Sequence, residues 1–360
     1  MRIGILTFHA AHNYGAVLQC YSLQEYLKSL GHEVSVIDYQ NKRMLSVYKR
    51  FKMGRILKKH PIQMIKNIYT EIMLYQRRKK RYYAFQNFIN NALNLVPIET
   101  IKELPFDIIF IGSDQVWNYE LTYGFDSYYW GDFVRPSHTL LASYAASMQD
   151  KWPDSKDEII KSKLKNFDFI SVREASLAQK LQMLSPNKRV YHVVDPTLLI
   201  STSIWNRIAT QPNITSPYVL FYQVDVNPLA REIAKKIAEQ EGLKLLVISA
   251  NIQNENDEVA TSVSPADFVG LVKYSRMIVS ASFHATVFSI LLRKDFYSIK
   301  AHGKNARISS LLSSLGLESR AIEKVPDKIE SVDYSIVNIE SINKESVQFL
   351  DNVFKAYGAE

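Results

Sequence analysis

The sequence predicts an α/β protein whose parallel sheets are divided over two domains. Three observations predict it. Short apolar runs alternate with segments of helical periodicity, the pattern of βαβ units. The rhythm breaks at a polar stretch, residues 202–217, which holds Pro212 and Pro217, and then restarts. A length of 360 residues suits two domains, and 47% hydrophobic with 22% charged residues suits a globular chain.

The elements follow in order. Residues 2–7 read as a first strand. Residues 15–30 read as a helix, with Val17, Leu18, Tyr21 and Leu27 near one face and Gly31 as its stop. Strands follow at 33–38, 107–111, 139–145, 169–172 and 190–194. After the break come a strand at 218–223, a helix at 228–241 and a strand at 243–249. A helix at 265–274, a strand at 277–281, a helix at 284–292 and a strand at 296–299 complete the second rhythm. The expected domains are 1–205, with a basic helical insertion at about 41–95, and 206–330. A tail and helix, 331–360, are expected to pack back on the first domain.

The charge is uneven. The chain carries +8. Residues 41–81 hold fourteen basic residues and one acid, Glu71, so the rest of the chain is net acidic. One local cationic surface is implied, not a nucleic-acid coat. Within it, Ile65, Ile68, Tyr69, Ile72 and Met73 fall at helical spacing, flanked by basic clusters at 49–59 and 77–81. The segment reads either as a helical insertion with solvated basic faces or as an amphipathic surface for anionic lipid. In the second case each cation near the surface contributes about 1 kcal/mol. A single cysteine, Cys20, rules out an internal disulfide and a cysteine-based zinc site, and fits a reducing compartment. The start does not read as a signal peptide, and no apolar run reaches membrane-spanning length, so the expected location is cytoplasmic, with any membrane attachment peripheral.

In parallel sheets, ligands bind beyond the carboxyl ends of strands. After the first strand, residues 8–15 bring His9, His12, Asn13 and Tyr14 to a helix N-terminus, an anion site or simply a cap. After residue 111 come Gly112, Ser113, Asp114, Gln115, Val116, Trp117 and Asn118. Asp114 there suits orienting a hydroxyl or taking its proton, or capping a helix. Residues 119–130 carry six aromatics, a lid or a floor for a sugar ring, although most such rings are packing residues. Arg173 follows the strand 169–172. Its fork suits a phosphate or carboxylate, or a structural pair with Glu174 or Asp195. Asp195 itself reads as structural. Ser282, Phe283 and His284 sit at a strand–helix junction, which favours function for His284 over a structural role. His302, Lys304 and Arg307 follow the last strand and suit an anion or a solvated loop. There is no dinucleotide fingerprint, Walker loop, His-Glu-x-x-His or Gly-x-Ser-x-Gly, which leaves an anion-handling transferase or binding protein without a metal.

Several of these loops together resemble the polysaccharide pyruvyl transferase family. The resemblance rests on Asn13 to Gln19, Gly112 to Asn118, Ser143 to Ser147 and Ser171 to Glu174. Asp195 to Leu199, Ser282 to His284, Arg307 to Leu312 and Leu315 to Leu317 extend it. Ala285 stands where the family often has glycine, and residues 41–81 lie outside the match. The resemblance implies two Rossmann-like domains facing a cleft, similar to the glycosyltransferase B arrangement. It implies phosphoenolpyruvate as donor, a hexose of a capsule or exopolysaccharide precursor as acceptor, and a pyruvate ketal with released phosphate as products. His284 and Asp114 are then the catalytic candidates. Arg173, Ser282, Phe283, Lys304 and Arg307 would bind phosphoenolpyruvate. His12, Asn13, Tyr14, Gln115, Trp117 and Asn118 would bind the acceptor, expected to be a lipid-linked oligosaccharide. No cofactor and no nucleic acid are expected. Residues 41–81 then become a candidate element for docking at the inner face of the cytoplasmic membrane. The alternatives are a nucleotide-sugar glycosyltransferase of the same fold and a non-catalytic glycan-binding relative.

Overall fold

The structure, a computed structural model, describes residues 1–48, 61–103, 105–148, 152–224, 226–249, 263–300 and 306–358. The first lobe runs β1 (Arg2–Leu6), α1 (Tyr14–Ser29), β2 (Glu33–Asp38), α2 (Lys42–Leu45), α3 (Pro61–Ala92), β3 (Leu95–Pro97) and α4 (Thr100–Glu103). It continues with β4 (Ile108–Ile111), β5 (Leu140–Ser143), α5 (Asp157–Leu164), β6 (Ile170–Val172), α6 (Ala175–Leu184), β7 (Val190–His192) and α7 (Thr202–Ile208). The second lobe runs β8 (Tyr218–Gln223), α8 (Pro228–Gln240), β9 (Lys244–Ser249), α9 (Pro265–Tyr274) and β10 (Met277–Ser280). Then come α10 (Phe283–Leu291), β11 (Asp295–Ile299), α11 (Ala306–Ser314), β12 (Ala321–Ile322) and α12 (Ile339–Gly358).

Every strand pair is parallel. The first sheet has the order β3-β2-β1-β4-β5, the Rossmann order. The pair β6-β7 continues it through single bridges from Ala142 to Phe169 and from Ala146 to Val172. The second sheet has the order β12-β11-β10-β8-β9, a flavodoxin-like order. Helices cover both faces, so central strands are buried throughout: all four residues of β4 and all six of β8 are buried. Strand order reverses between β1 and β4 and between β8 and β10. Both switch points lie at the cleft, where such sheets bind ligands.

Helix α1 lies in the seam between the lobes, which explains why twelve of its sixteen residues are buried. Asn13 caps it, its Oδ1 accepting from the Gly15 amide at 3.0 Å. Tyr14 reaches across the seam, stacks on Phe268 of α9 at 4.7 Å and donates to the Val263 carbonyl. Such a stacked pair contributes about 0.5–1.5 kcal/mol beyond its buried area. Trp205 of α7 meets Phe288 of α10 edge-on at 4.8 Å. Helix α12 lies on the first lobe, with Phe349 against Tyr144 and Tyr191 and Phe354 against His32 and Phe110.

Helix α3 is more than an insertion. Its inward residues Glu71, Leu74, Arg78, Arg81, Phe85 and Ile89 are all buried. Arg78 donates to both oxygens of Glu71, at 2.6 and 3.3 Å. Arg81 donates to the Ser249 carbonyl of the second lobe at 2.7 Å and to the His12 carbonyl of the first at 3.2 Å. The expectation that the cluster 77–81 faces solvent or lipid as a whole is therefore corrected: two of its arginines hold the interior together. The cluster at 49–59 lies outside the described residues. No helix among the described residues is long and apolar enough to cross a membrane.

Candidate active site

The loops leaving the carboxyl ends of β1, β4, β5, β6, β7 and β10 converge on one cluster. Its centre is Arg173, which follows β6 and is buried. Nη1 donates to Asp195 Oδ2 at 2.6 Å. Nη2 stands 3.7 Å from Asp114 Oδ1, and Nε stands 3.6 Å from Glu174 Oε1. The guanidinium lies over the Phe283 ring at 5.3 Å. Burial opposes its charge, but the three carboxylates more than offset this and raise its pKa. The structural pairs left open for Arg173 from sequence are thus present, with a third carboxylate added.

Asp195 follows β7. Its Oδ1 accepts from the Thr197 amide and hydroxyl, at 3.1 and 2.7 Å. That fixes Oδ2 towards Arg173 and towards His284 Nε2, 3.4 Å away. Burial alone would raise the Asp195 carboxyl. His284, Arg173 and Thr197 outweigh it and hold the pKa well below the usual carboxylate range. His284 is the second residue of α10. Its imidazole rests on Gly15, where a Cβ atom would come within 2.0 Å of Nδ1, so only glycine fits there.

Asp114 follows β4 with φ of 68°, in the left-handed region that a non-glycine residue occupies only when its surroundings enforce it. Here Ser147 enforces it, donating its amide to the Asp114 carbonyl at 2.9 Å. Gly112, at φ 119°, passes so close to the Tyr144 carbonyl that a Cβ would come within 2.3 Å. The Ser147 hydroxyl donates to Glu174 Oε1 at 2.7 Å, and Arg307 Nε lies 3.9 Å from the same oxygen. Burial and the nearby Arg173 lower the Arg307 pKa.

Two cavities flank this cluster. The larger, about 440 Å³, is walled at its charged end by Arg173, Glu174, Asp195, Phe283 and Arg307, and at the other by Val194, Leu198, Leu311 and Ile342. The smaller, about 200 Å³, is walled by Asn13, Asp114, Gln115, Tyr48 and Tyr123, among others. Arg173 lines one and Asp114 the other, so their 3.7 Å approach forms part of the partition. Four buried polar atoms without a hydrogen-bond partner meet here: Arg173 Nε and Nη2, Glu174 Oε2 and His284 Nε2. Buried donors left unmatched in this way carry a desolvation penalty that a bound ligand can relieve.

The structure therefore brings together His284, Asp114, Arg173, Phe283 and Arg307, with Ser282 buried as the N-cap residue of α10. Lys304 and His302 lie outside the described residues. Of the residues expected to touch an acceptor, Asn13 and Gln115 line the smaller cavity. The others are held by packing. Tyr14 is enclosed in the seam. Trp117 is fully buried, stacks on Trp130 at 4.8 Å and donates to the Tyr129 carbonyl. Asn118 is buried and donates to Gln115 Oε1 at 2.9 Å. The His12 ring sits among Tyr48, Tyr82 and Phe85, and its pKa is lowered to about 4 by burial and by Arg81. Sequence reasoning missed the part played by Asp195, although it sits at a strand's carboxyl end like the residues singled out. It also missed the fit of Gly15 beneath His284.

Comparison with known proteins shows the family. Among solved structures, the chain is similar to UDP-GlcNAc 2-epimerase from Neisseria meningitidis bound to UDP-GlcNAc, at 12% identity, covering 98% of this chain and 100% of that one, with a TM-score of 0.47. It is similar to UDP-GlcNAc 2-epimerase from Methanocaldococcus jannaschii at 10% identity, 98% and 100% coverage and a TM-score of 0.46. It is similar to E. coli heptosyltransferase WaaC with ADP at 10% identity, 98% and 100% coverage and a TM-score of 0.42. No curated protein matches. The family profile for polysaccharide pyruvyl transferase matches residues 13–302, well over half of the chain and all but one end of the cluster's loops; the protein belongs to the polysaccharide pyruvyl transferase family.

Proposed function

We propose that this transferase moves the pyruvyl group of phosphoenolpyruvate to a hexose of a surface-polysaccharide precursor, closing a pyruvate ketal and releasing phosphate. The observation that carries the reading is the side-on edge of Arg173, which Glu174 and Asp114 approach only at 3.6 and 3.7 Å. Nη1 is bound to Asp195, while Nε and Nη2, the two donors of the guanidinium's side-on fork, make no hydrogen bond. That edge matches the paired oxygens of a phosphate or carboxylate. Arg307 supplies a second cation to the same cavity, whose volume falls in the usual small-molecule range of about 300–1,000 Å³.

In this reading the donor lies in the larger cavity and the acceptor in the smaller. His284, as imidazolium, gives a proton to the methylene carbon of the enol, which becomes a methyl group. Asp195 orients the ring and stabilises its charged form. The central carbon becomes cationic, and one acceptor hydroxyl attacks it. Asp114, which lines the acceptor cavity, takes that hydroxyl's proton, and the proton returns to His284 through solvent. The carbon–oxygen bond to phosphate then breaks, and a second hydroxyl closes the ketal. Its proton leaves with the phosphate, so the products are the ketal and hydrogen phosphate.

The test is mass spectrometry of a hexose-containing acceptor incubated with the protein and phosphoenolpyruvate, with phosphate release measured in parallel. One pyruvyl ketal per phosphate is expected. His284→Ala should slow release by about 10³-fold while circular dichroism stays unchanged. Release at the wild-type rate by that variant removes His284 from the chemistry. Turnover of a nucleotide sugar in place of phosphoenolpyruvate would make the protein a glycosyltransferase.

A further inference from the structure

Over residues 68–81, helix α3 turns charge inward and apolar side chains outward. Facing inward at helical spacing are Glu71, Leu74, Arg78 and Arg81, all buried. Facing outward are Ile68, Tyr69 and Ile72, which are 37%, 61% and 59% exposed. A surface helix of a soluble domain does the reverse, turning its apolar stripe to the core. The strip continues along the same side through Gln76, Lys80 and Tyr83, all exposed.

The charge around the strip is one-sided. Glu71 is the one acid of residues 41–81, and both of its oxygens accept from Arg78 inside the protein. No carboxylate of this segment therefore reaches its surface. On α3 itself Lys80 is exposed and Lys79 is half-buried. Exposed isoleucine and tyrosine set among cations without anions is the composition that enters an anionic headgroup layer. Tyr69 and Tyr83 add rings with an apolar body and a polar tip, which sit at the level of the headgroups. A protein partner would use the apolar residues but has no need of the missing acids, since the cores of protein interfaces are poor in charge of either sign.

We propose that the outward strip of α3, centred on Ile68, Tyr69 and Ile72, docks on an anionic lipid surface. Its position gives the docking a use. The inner side of the same helix carries Tyr82 and Phe85, which pack His12, and the His12 ring meets Tyr48, in the wall of the smaller cavity, at a tilt and 5.9 Å between centroids. The membrane-facing element is thus the outer layer of the wall whose inner layer bounds the proposed acceptor site. The docking stands on the helix alone, whereas its use in presenting a lipid-anchored acceptor rests on the reaction proposed above.

The experiment is co-sedimentation of the full chain with vesicles of phosphatidylcholine alone and of phosphatidylcholine with phosphatidylglycerol. The wild type should sediment with the anionic vesicles, less so as salt rises, and stay in solution with the neutral ones. A Tyr69→Ser/Ile72→Ser double variant, altered only at exposed positions, should partition at least about tenfold more weakly and release phosphate with a soluble acceptor at the wild-type rate. The proposal is overturned if the wild type ignores anionic vesicles, or if the double variant sediments as well as the wild type. It is equally overturned if the strip joins two copies of the chain, seen as a dimer in gel filtration that the double variant dissolves. Vesicle binding without any pyruvyl transfer would leave the docking intact and sink the reaction.

Discussion

Two arginine–carboxylate pairs in this protein have the same 2.6 Å contact and opposite meanings. Arg78 in α3 gives both terminal nitrogens to one carboxylate, Glu71, and the pair is closed. Arg173 gives one nitrogen to Asp195, keeps two donors unmatched, and opens on a cavity with Arg307 and Phe283 beside it. Burial and distance do not separate them. What separates them is the hydrogen-bonding capacity left over: a structural pair uses it up, and a binding site holds it ready. The same contrast divides two histidines. His12 is buried among rings beside an arginine, where charge is disfavoured. His284 stands 3.4 Å from the Asp195 carboxylate at the edge of the cluster.

The comparison can be broken at three points. The largest effect is expected at the closed pair. Arg78→Leu takes two hydrogen bonds from the buried Glu71 carboxylate and should cost about 3–5 kcal/mol of stability, read as a lower denaturation midpoint. Arg78→Leu/Glu71→Leu, which removes both charges, should recover most of that loss. A single variant as stable as the wild type would show that the pair holds nothing together. Next comes His12. Its pKa is about 4 when folded and 6.5 in the free side chain, so the unfolded chain binds the extra proton between those values. Its contribution is intact above pH 6.5 and declines as pH falls towards 4, by up to about 3 kcal/mol. His12→Phe should flatten that part of the stability–pH curve, and an unchanged slope would assign it to other groups. The smallest effect is expected at the open pair. Arg173→Lys keeps a cation for Asp195 but loses the side-on fork, so the apparent KM for phosphoenolpyruvate should rise about 10- to 100-fold with little change in Tm. A fall in Tm with KM unmoved would make Arg173 a second Arg78.

Much of the frame was legible in the sequence because parallel strands buried on both faces read as continuous apolar runs, as in β4 and β8. The short edge strands β3 and β12 were not, since two or three residues carry no periodicity. The loops of the site were legible by position, each following an apolar run. Their pairings were not. Asp195 looked structural because the residue that gives it a second role, His284, comes from the other lobe. Trp117 was expected at the acceptor because its place in a loop after an apolar strand does not say that its ring finds a partner such as Trp130. In α3, periodicity correctly grouped Ile68, Tyr69 and Ile72 on one face. Which way that face turns was decided by Glu71, Arg78 and Arg81, whose partners lie inward and, for Arg81, in the second lobe.

Asp195 belongs to the first lobe, and His284 to the second. Gly15, under the imidazole, belongs to the first again. The imidazole and the carboxylate beside it are thus neighbours only because the two lobes pack on one another. The bare glycine beneath the ring is what lets the two lobes approach this closely. In the reaction proposed above, contact between the lobes is therefore a condition of proton transfer as well as of binding.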